Sequence, residues 1–229
     1  MAAKIRVLIV VSSHADLGNT GQKTGWYLPE VAHPYDIFTK AGFEVDFVSP
    51  KGGNAPLDPT SAEMFKEDAT CQDFLKSGVE KVKTTMKPSE VDISKYKVFF
   101  YAGGHGPMFD LPKNDEIANL CSKAYENGAV VCAVCHGTVG LVPVKLSNGE
   151  SILKGHTVTS FTNAEEDLMK LSEAMPFLLE TKLKELEATF IAANCFEKNV
   201  QESGRIITGQ NPASAGPMAE KVVSLVKAS

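Results

Sequence analysis

A thiol and an imidazole stand side by side at Cys135 and His136, inside the stretch "VVCAVCHGTVG" of residues 130–140. Such a pair suits nucleophilic catalysis, because the ring can take the proton that the sulfur must lose. The same letters also spell Cys132-x-x-Cys135-His136, so three readings compete. Haem attachment matches the string but requires export, and the apolar run Val7 to Val11 is too short for a signal-peptide core. A redox pair needs both sulfurs near one helix start. Cys132 instead falls within an apolar strand, where residues three apart point to opposite faces. The spacing therefore favours Cys132 as a core residue and Cys135 as a nucleophile on a sharp strand-to-helix elbow. Ala133 and Gly137 leave the room such a turn demands. A helix start beyond it would favour thiolate, and the His136 N–H would face an oxyanion. The plain alternative is a buried cysteine in a tight turn.

Other candidates are weaker in isolation. "YAGGHG" (101–106) follows a strand, and Gly103 and Gly104 would let backbone N–H groups complete an oxyanion hole. His105 there reads as structural. Glu30 follows Pro29 and opens a helix, where a carboxylate is an ordinary dipole partner. Glu165 and Glu166 in "SFTNAEEDLM" are equally ordinary at a helix start. No H-E-x-x-H or paired C-x-x-C occurs, and His14, His33 and His156 form no metal constellation in the sequence.

The elements that must position these groups alternate. Residues 5–11, 43–49, 96–103, 129–134, 156–160 and 205–209 read as strands. Residues 30–42, 61–78, 114–128, about 163–187 and 213–227 read as helices, with Asn114 as an N-cap. Strand-helix alternation predicts an α/β fold, a mostly parallel sheet with helices on both faces. Sites in such folds lie at the carboxyl ends of strands, which selects 12–14, 103–106, 135–137, 160–166 and 209–214.

The chain has 229 residues, 43% of them hydrophobic, and a net charge of −5, enough to bury a sizeable core as one domain over 1–229. No basic cluster invites nucleic acid. No apolar stretch approaches the roughly 20 residues of a membrane helix. The five cysteines are odd in number and irregularly spaced, so free thiols in a reducing compartment are expected. The expected location is cytoplasmic, with the nucleus also open.

"AVCHG", "AGGHG", "PEVAHPYDIF", "GFEVDFVSP" and "TGQNPAS", in order and over nearly the whole chain, resemble the PfpI-like branch of the class I glutamine amidotransferase-like superfamily. Within it they look like the glutathione-independent glyoxalases (glyoxalase III, D-lactate dehydratase), including heat-inducible chaperone-like members. The resemblance implies a flavodoxin-like sandwich with a nucleophile elbow and no cofactor or metal. It implies Cys135 as nucleophile, His136 as its imidazole, Glu30 as the acid beside the thiol and Glu166 as the carboxylate orienting His136. Glu165 is one position away and could exchange with Glu166. Gly104 would face the oxyanion. The implied partner is a small 2-oxoaldehyde such as methylglyoxal, with room for a homodimer and none for nucleic acid or membrane. A holdase chaperone, a protein deglycase and an oxidation-sensing thiol protein are the alternatives.

Overall fold

The computed structural model describes residues 4–228; residues 1–3 and 229 of the expected domain lie outside the described residues. The strands are β1 (Arg6–Val10), β2 (Glu44–Val48), β3 (Val98–Tyr101), β4 (Val130–Val134), β5 (Thr157–Val158), β6 (Thr189–Phe190), β7 (Val200–Ser203) and β8 (Ile206–Gly209). The helices are α1 (Leu28–Lys40), α2 (Pro59–Met64), α3 (Ala69–Ser77), α4 (Val79–Lys83), α5 (Pro107–Asp110), α6 (Asp115–Glu126), α7 (Asn163–Leu168), α8 (Leu179–Glu185) and α9 (Ala215–Ala228).

Six strands form one sheet in the order β2-β1-β3-β4-β8-β7. All neighbours are parallel except β7 and β8. Register shows why the strands read as continuous apolar runs. Ile9, Phe100, Cys132 and Ile207 lie abreast and bury into one layer, with Phe38 of α1 and Val222 of α9. Leu8, Phe99, Val131 and Ile206 lie abreast one residue earlier and bury into the opposite layer, with Ile117 and Cys121 of α6. Strands covered on both faces need apolar residues at every position. Asn114 caps α6 as expected, accepting the Ile117 N–H at 2.9 Å.

Some elements differ from the sequence reading. The strand expected over 156–160 shrinks to β5, which pairs with β6 in a separate two-stranded sheet. The helix expected over 163–187 breaks into α7, a 3-10 turn at Ser172–Ala174 and α8, with Lys170 in the left-handed region at φ 58°. The helix expected over 61–78 divides because Asp68 caps a new start, accepting the Cys71 N–H at 2.8 Å. β7 is half-buried at the sheet edge, and its polar residues hid its period.

Candidate active site

The carboxyl ends of β1, β3, β4 and β8 converge on one crevice, as the parallel order requires. Cys135 follows β4 directly and has φ 57°, the left-handed region that a non-glycine residue rarely occupies. This is the elbow. The helix expected beyond it is a 3-10 helix, Cys135–Leu141. Small residues are needed on both sides for a definite reason. A Cβ on Gly137 would lie 2.6 Å from the carbonyl oxygens of Tyr101 and Ala102, and one on Gly103 would lie 2.9 Å from Cys135 Cβ. The elbow also corrects the expectation that Cys132 and Cys135 face opposite ways. The chain leaves strand geometry at Cys135, so both sulfurs belong to the same buried layer, and all five cysteines are free thiols.

His136 Nδ1 lies 3.4 Å from Cys135 Sγ, and His136 Nε2 lies 2.5 Å from Glu166 Oε2. His105 Nε2 reaches the other oxygen, Glu166 Oε1, at 2.8 Å, and the two imidazole centroids are 4.1 Å apart. One carboxylate thus bridges two rings. Burial opposes its charge, but His136 and His105 hold Glu166 well below the ordinary carboxylate range. Burial pushes His136 the other way, down from its ordinary value, and outweighs the pull of Glu166. The consistent state has an ionised Glu166 accepting Nε2–H from both rings, with His136 neutral. His136 Nδ1 is then a free acceptor facing the thiol.

Glu30 reaches the crevice from the first turn of α1 and is fully buried. Neither carboxyl oxygen makes a hydrogen bond of ordinary geometry; the Cys135 thiol and the Gly103 N–H are nearby but loosely aligned. Burial raises its pKa to about 8, so at neutral pH Glu30 carries a proton. Burial and, second, a charged Glu30 push the Cys135 thiol well above its ordinary value. The resting site therefore holds a thiol, against the thiolate expected from a helix start. The second contribution disappears while Glu30 keeps its proton, and the carboxyl then donates toward sulfur.

Cys135, His136, Glu30, His105 and Gly104 line one cavity of about 860 Å³; Glu166 holds the imidazoles from behind. Gly104 has φ 98°, and a Cβ there would meet the Gly25 carbonyl oxygen at 2.3 Å. His105, read as structural from the sequence, stands inside the site; only its place in the glycine turn could have signalled that. Glu165 is no exposed alternative to Glu166. It is buried and closes a capping box on Thr162, accepting that residue's N–H at 2.9 Å. Its other oxygen accepts from Asn211 Nδ2 and the Phe196 N–H. Thr162-x-x-Glu165 was a legible box, which leaves Glu166 free to face the ring.

Residues 25–225 match the model of the DJ-1/PfpI family. The chain belongs to the DJ-1/PfpI family. Within it, the glutathione-independent glyoxalase HSP31 of Saccharomyces cerevisiae is 34% identical, covering 99% of this chain and 100% of the relative. Among solved structures, rapid encystment protein of 24 kDa from Francisella tularensis superposes with a TM-score of 0.85 at 34% identity, covering 96% of this chain and 98% of that one. Glyoxalase III of Candida albicans superposes at 0.88 with 28% identity, covering 96% of each chain. The flavodoxin-like α/β expectation agrees with these DJ-1/PfpI structures.

Among the described residues, two groups bring candidate ligand atoms within 4.8 Å of one another: His105, His136 and Glu166, and His33, Asp68 and Cys71. In the first, hydrogen bonds between rings and carboxylate already account for the closeness. His33, unassigned from the sequence, pairs with Asp68 at 3.0 Å. No helix among the described residues is long and apolar enough to cross a membrane.

Proposed function

We propose that this chain is a glutathione-independent glyoxalase, converting 2-oxoaldehydes such as methylglyoxal to 2-hydroxy acids such as D-lactate. The observation that carries the reading is the Cys135 thiol, set on a strained turn between an acceptor nitrogen at 3.4 Å and a protonated Glu30. Relatives named as glutathione-independent glyoxalases and as glyoxalase 3 support the substrate class.

The reaction closes on these side chains. Cys135 gives its proton to His136 Nδ1 as its sulfur bonds to the aldehyde carbon. The alkoxide so formed is met by backbone N–H groups around Gly104 and His136 and takes a proton, giving a hemithioacetal. The hydrogen on that carbon then leaves as a proton, and its electron pair moves toward the neighbouring carbonyl, giving an enediol. Protonation at the second carbon leaves a thioester. Water cleaves it and returns the thiol with the hydroxy acid. A neutral imidazole and a neutral carboxyl can each take or give the protons required near pH 7. Glu166 keeps the ring oriented and balances its positive charge. Overall one water is added and no electrons are lost.

Product analysis tests the reading. Purified chain, methylglyoxal and no glutathione should give lactate of one hand, measured by stereospecific lactate oxidation. Folded protein that yields no lactate overturns the proposal.

A further inference from the structure

The cavity is far larger than methylglyoxal. About 860 Å³ lies within the roughly 300–1,000 Å³ of pockets for drug-sized ligands, whereas methylglyoxal has five non-hydrogen atoms. Its walls are not random. From the reacting imidazole outward, the His136 and Phe161 rings lie 4.5 Å apart, and Phe161 and Phe196 lie 6.3 Å apart. The same cavity is lined by Tyr27, which meets Phe65 edge-on at 6.0 Å and whose hydroxyl touches Met64 Sδ at 3.6 Å. Aromatic and thioether side chains thus line much of the cavity between the nucleophile and the exposed Phe196 and Met64, with Lys23, Asp58 and Lys170 also on its lining.

Phe196 breaks two ordinary rules. The residue is 49% exposed, and its backbone sits at φ 62°. A bulky residue in the left-handed region is an outlier that surrounding structure must hold, and such outliers gather at binding sites. The holder here is the buried Glu165, which accepts the Phe196 N–H at 2.8 Å. Met64 and Met169 add exposed apolar side chains at the same cavity, 66% and 44% exposed. An aldehyde carbon bonded to Cys135 must send its substituent into this cavity.

We infer that the preferred substrates are 2-oxoaldehydes bearing a long apolar substituent, and that Phe196 sets this preference. The inference rests on the proposed glyoxalase reading and extends it from the reacting carbons to the rest of the substrate. Each methylene buried against the cavity's apolar side chains contributes about 0.8 kcal/mol, close to a fourfold gain in kcat/KM. The gain continues until the chain emerges past Phe196.

The test is a homologous series, methylglyoxal, 2-oxohexanal and 2-oxooctanal, assayed without glutathione by the appearance of the 2-hydroxy acid. The wild-type chain should favour 2-oxooctanal over methylglyoxal by at least tenfold in kcat/KM, with the difference mainly in KM. Phe196→Ala should lower that ratio about tenfold, and Phe196→Tyr should restore most of it. Circular dichroism checks that each variant folds; Phe196→Gly, which suits the left-handed backbone, replaces Phe196→Ala if that variant does not. Methylglyoxal turnover with no chain-length preference overturns the inference alone, as does an unchanged ratio in the truncated variant. No turnover of any member by folded wild type overturns the glyoxalase reading and the inference with it.

Discussion

Cys71, His33 and Asp68 carry the same three functional groups as Cys135, His136 and Glu166, yet the two clusters are built differently. Burial pushes both thiols up, Cys71 to about 12, so thiol acidity does not separate them. Geometry does. Glu166 spends both oxygens on imidazoles, which leaves His136 Nδ1 facing sulfur. Asp68 spends one oxygen on His33 and the other on the Cys71 N–H, so it serves as a helix cap. The second nitrogen of His33 lies toward Gly216 of α9, 4.0 Å from where a Cβ would stand. Cys71 sits inside a regular helix with its side chain in the core, whereas Cys135 sits on a strained turn above a cavity. A thiol, an imidazole and a carboxylate become reactive through backbone direction and access.

The largest expected effect falls on the sulfurs. Cys135→Ala should lower lactate formation by roughly 1,000-fold or more. Cys71→Ala should stay within about twofold of wild type in the same assay. Equal losses in two folded variants would erase the distinction between the clusters.

Next come the adjacent carboxylates. Glu166→Gln should reduce kcat roughly tenfold to a hundredfold, about 1.4–2.7 kcal/mol of barrier, with little change in melting temperature. Glu165→Gln should instead lower stability by about 2 kcal/mol, because a buried acceptor of several hydrogen bonds is weakened. Paired kinetics and denaturant melts decide this, and a Glu165→Gln protein of unchanged stability would break the division of roles.

Glu30 adds a pH signature opposite in sign to that of Asp68, which, despite burial, the Cys71 N–H and His33 hold below its ordinary value. Its folded pKa of about 8 stands above the ordinary 4.5. Below pH 4.5 both folded and unfolded chains hold the proton. Between 4.5 and 8 only the folded chain does, so stability falls as pH rises across that window and levels off above it. Glu30→Gln removes this slope, and by pH 8 its advantage should be on the order of a few kcal/mol. Wild-type turnover should also fall above about pH 8 as the donor is lost. Denaturant melts of both proteins from pH 5 to 8.5 check the slope; parallel curves would count against a protonated Glu30. The smallest effect belongs to Asp68→Ala, which should cost about 1 kcal/mol through the lost cap and leave kcat unchanged. A fall in kcat there would tie the two clusters together.

How much of this was legible in the sequence follows from range. The strands β1, β3 and β4 were readable because residues buried on both faces must be apolar, β2 because its apolar residues alternate with polar ones, and the elbow because small residues flank Cys135. The Thr162–Glu165 box is written in residues three apart. His105 was missed because its partner, Glu166, lies 61 residues away and no local pattern announces the contact. β7 was missed because an edge strand needs only one apolar face. The raised pKa values of Glu30 and Cys135 come from burial by the assembled layers, which no short stretch encodes.

The crowding at the elbow has a consequence for motion. Backbone carbonyls stand where side chains on Gly103, Gly104 and Gly137 would be, so neither wall of the turn can shift without collision. The backbone around Cys135, the proposed reacting thiol, is thus closely packed on both sides. Lys170 and Phe196, by contrast, sit in short exposed connections with left-handed backbones. Breathing of the molecule should concentrate at the Lys170 connection, since the Phe196 N–H is held by the buried Glu165, in nanosecond-to-microsecond loop excursions that admit a ligand. Amide hydrogens at 135–137 should exchange only through global opening, and those at 169–171 through local fluctuation.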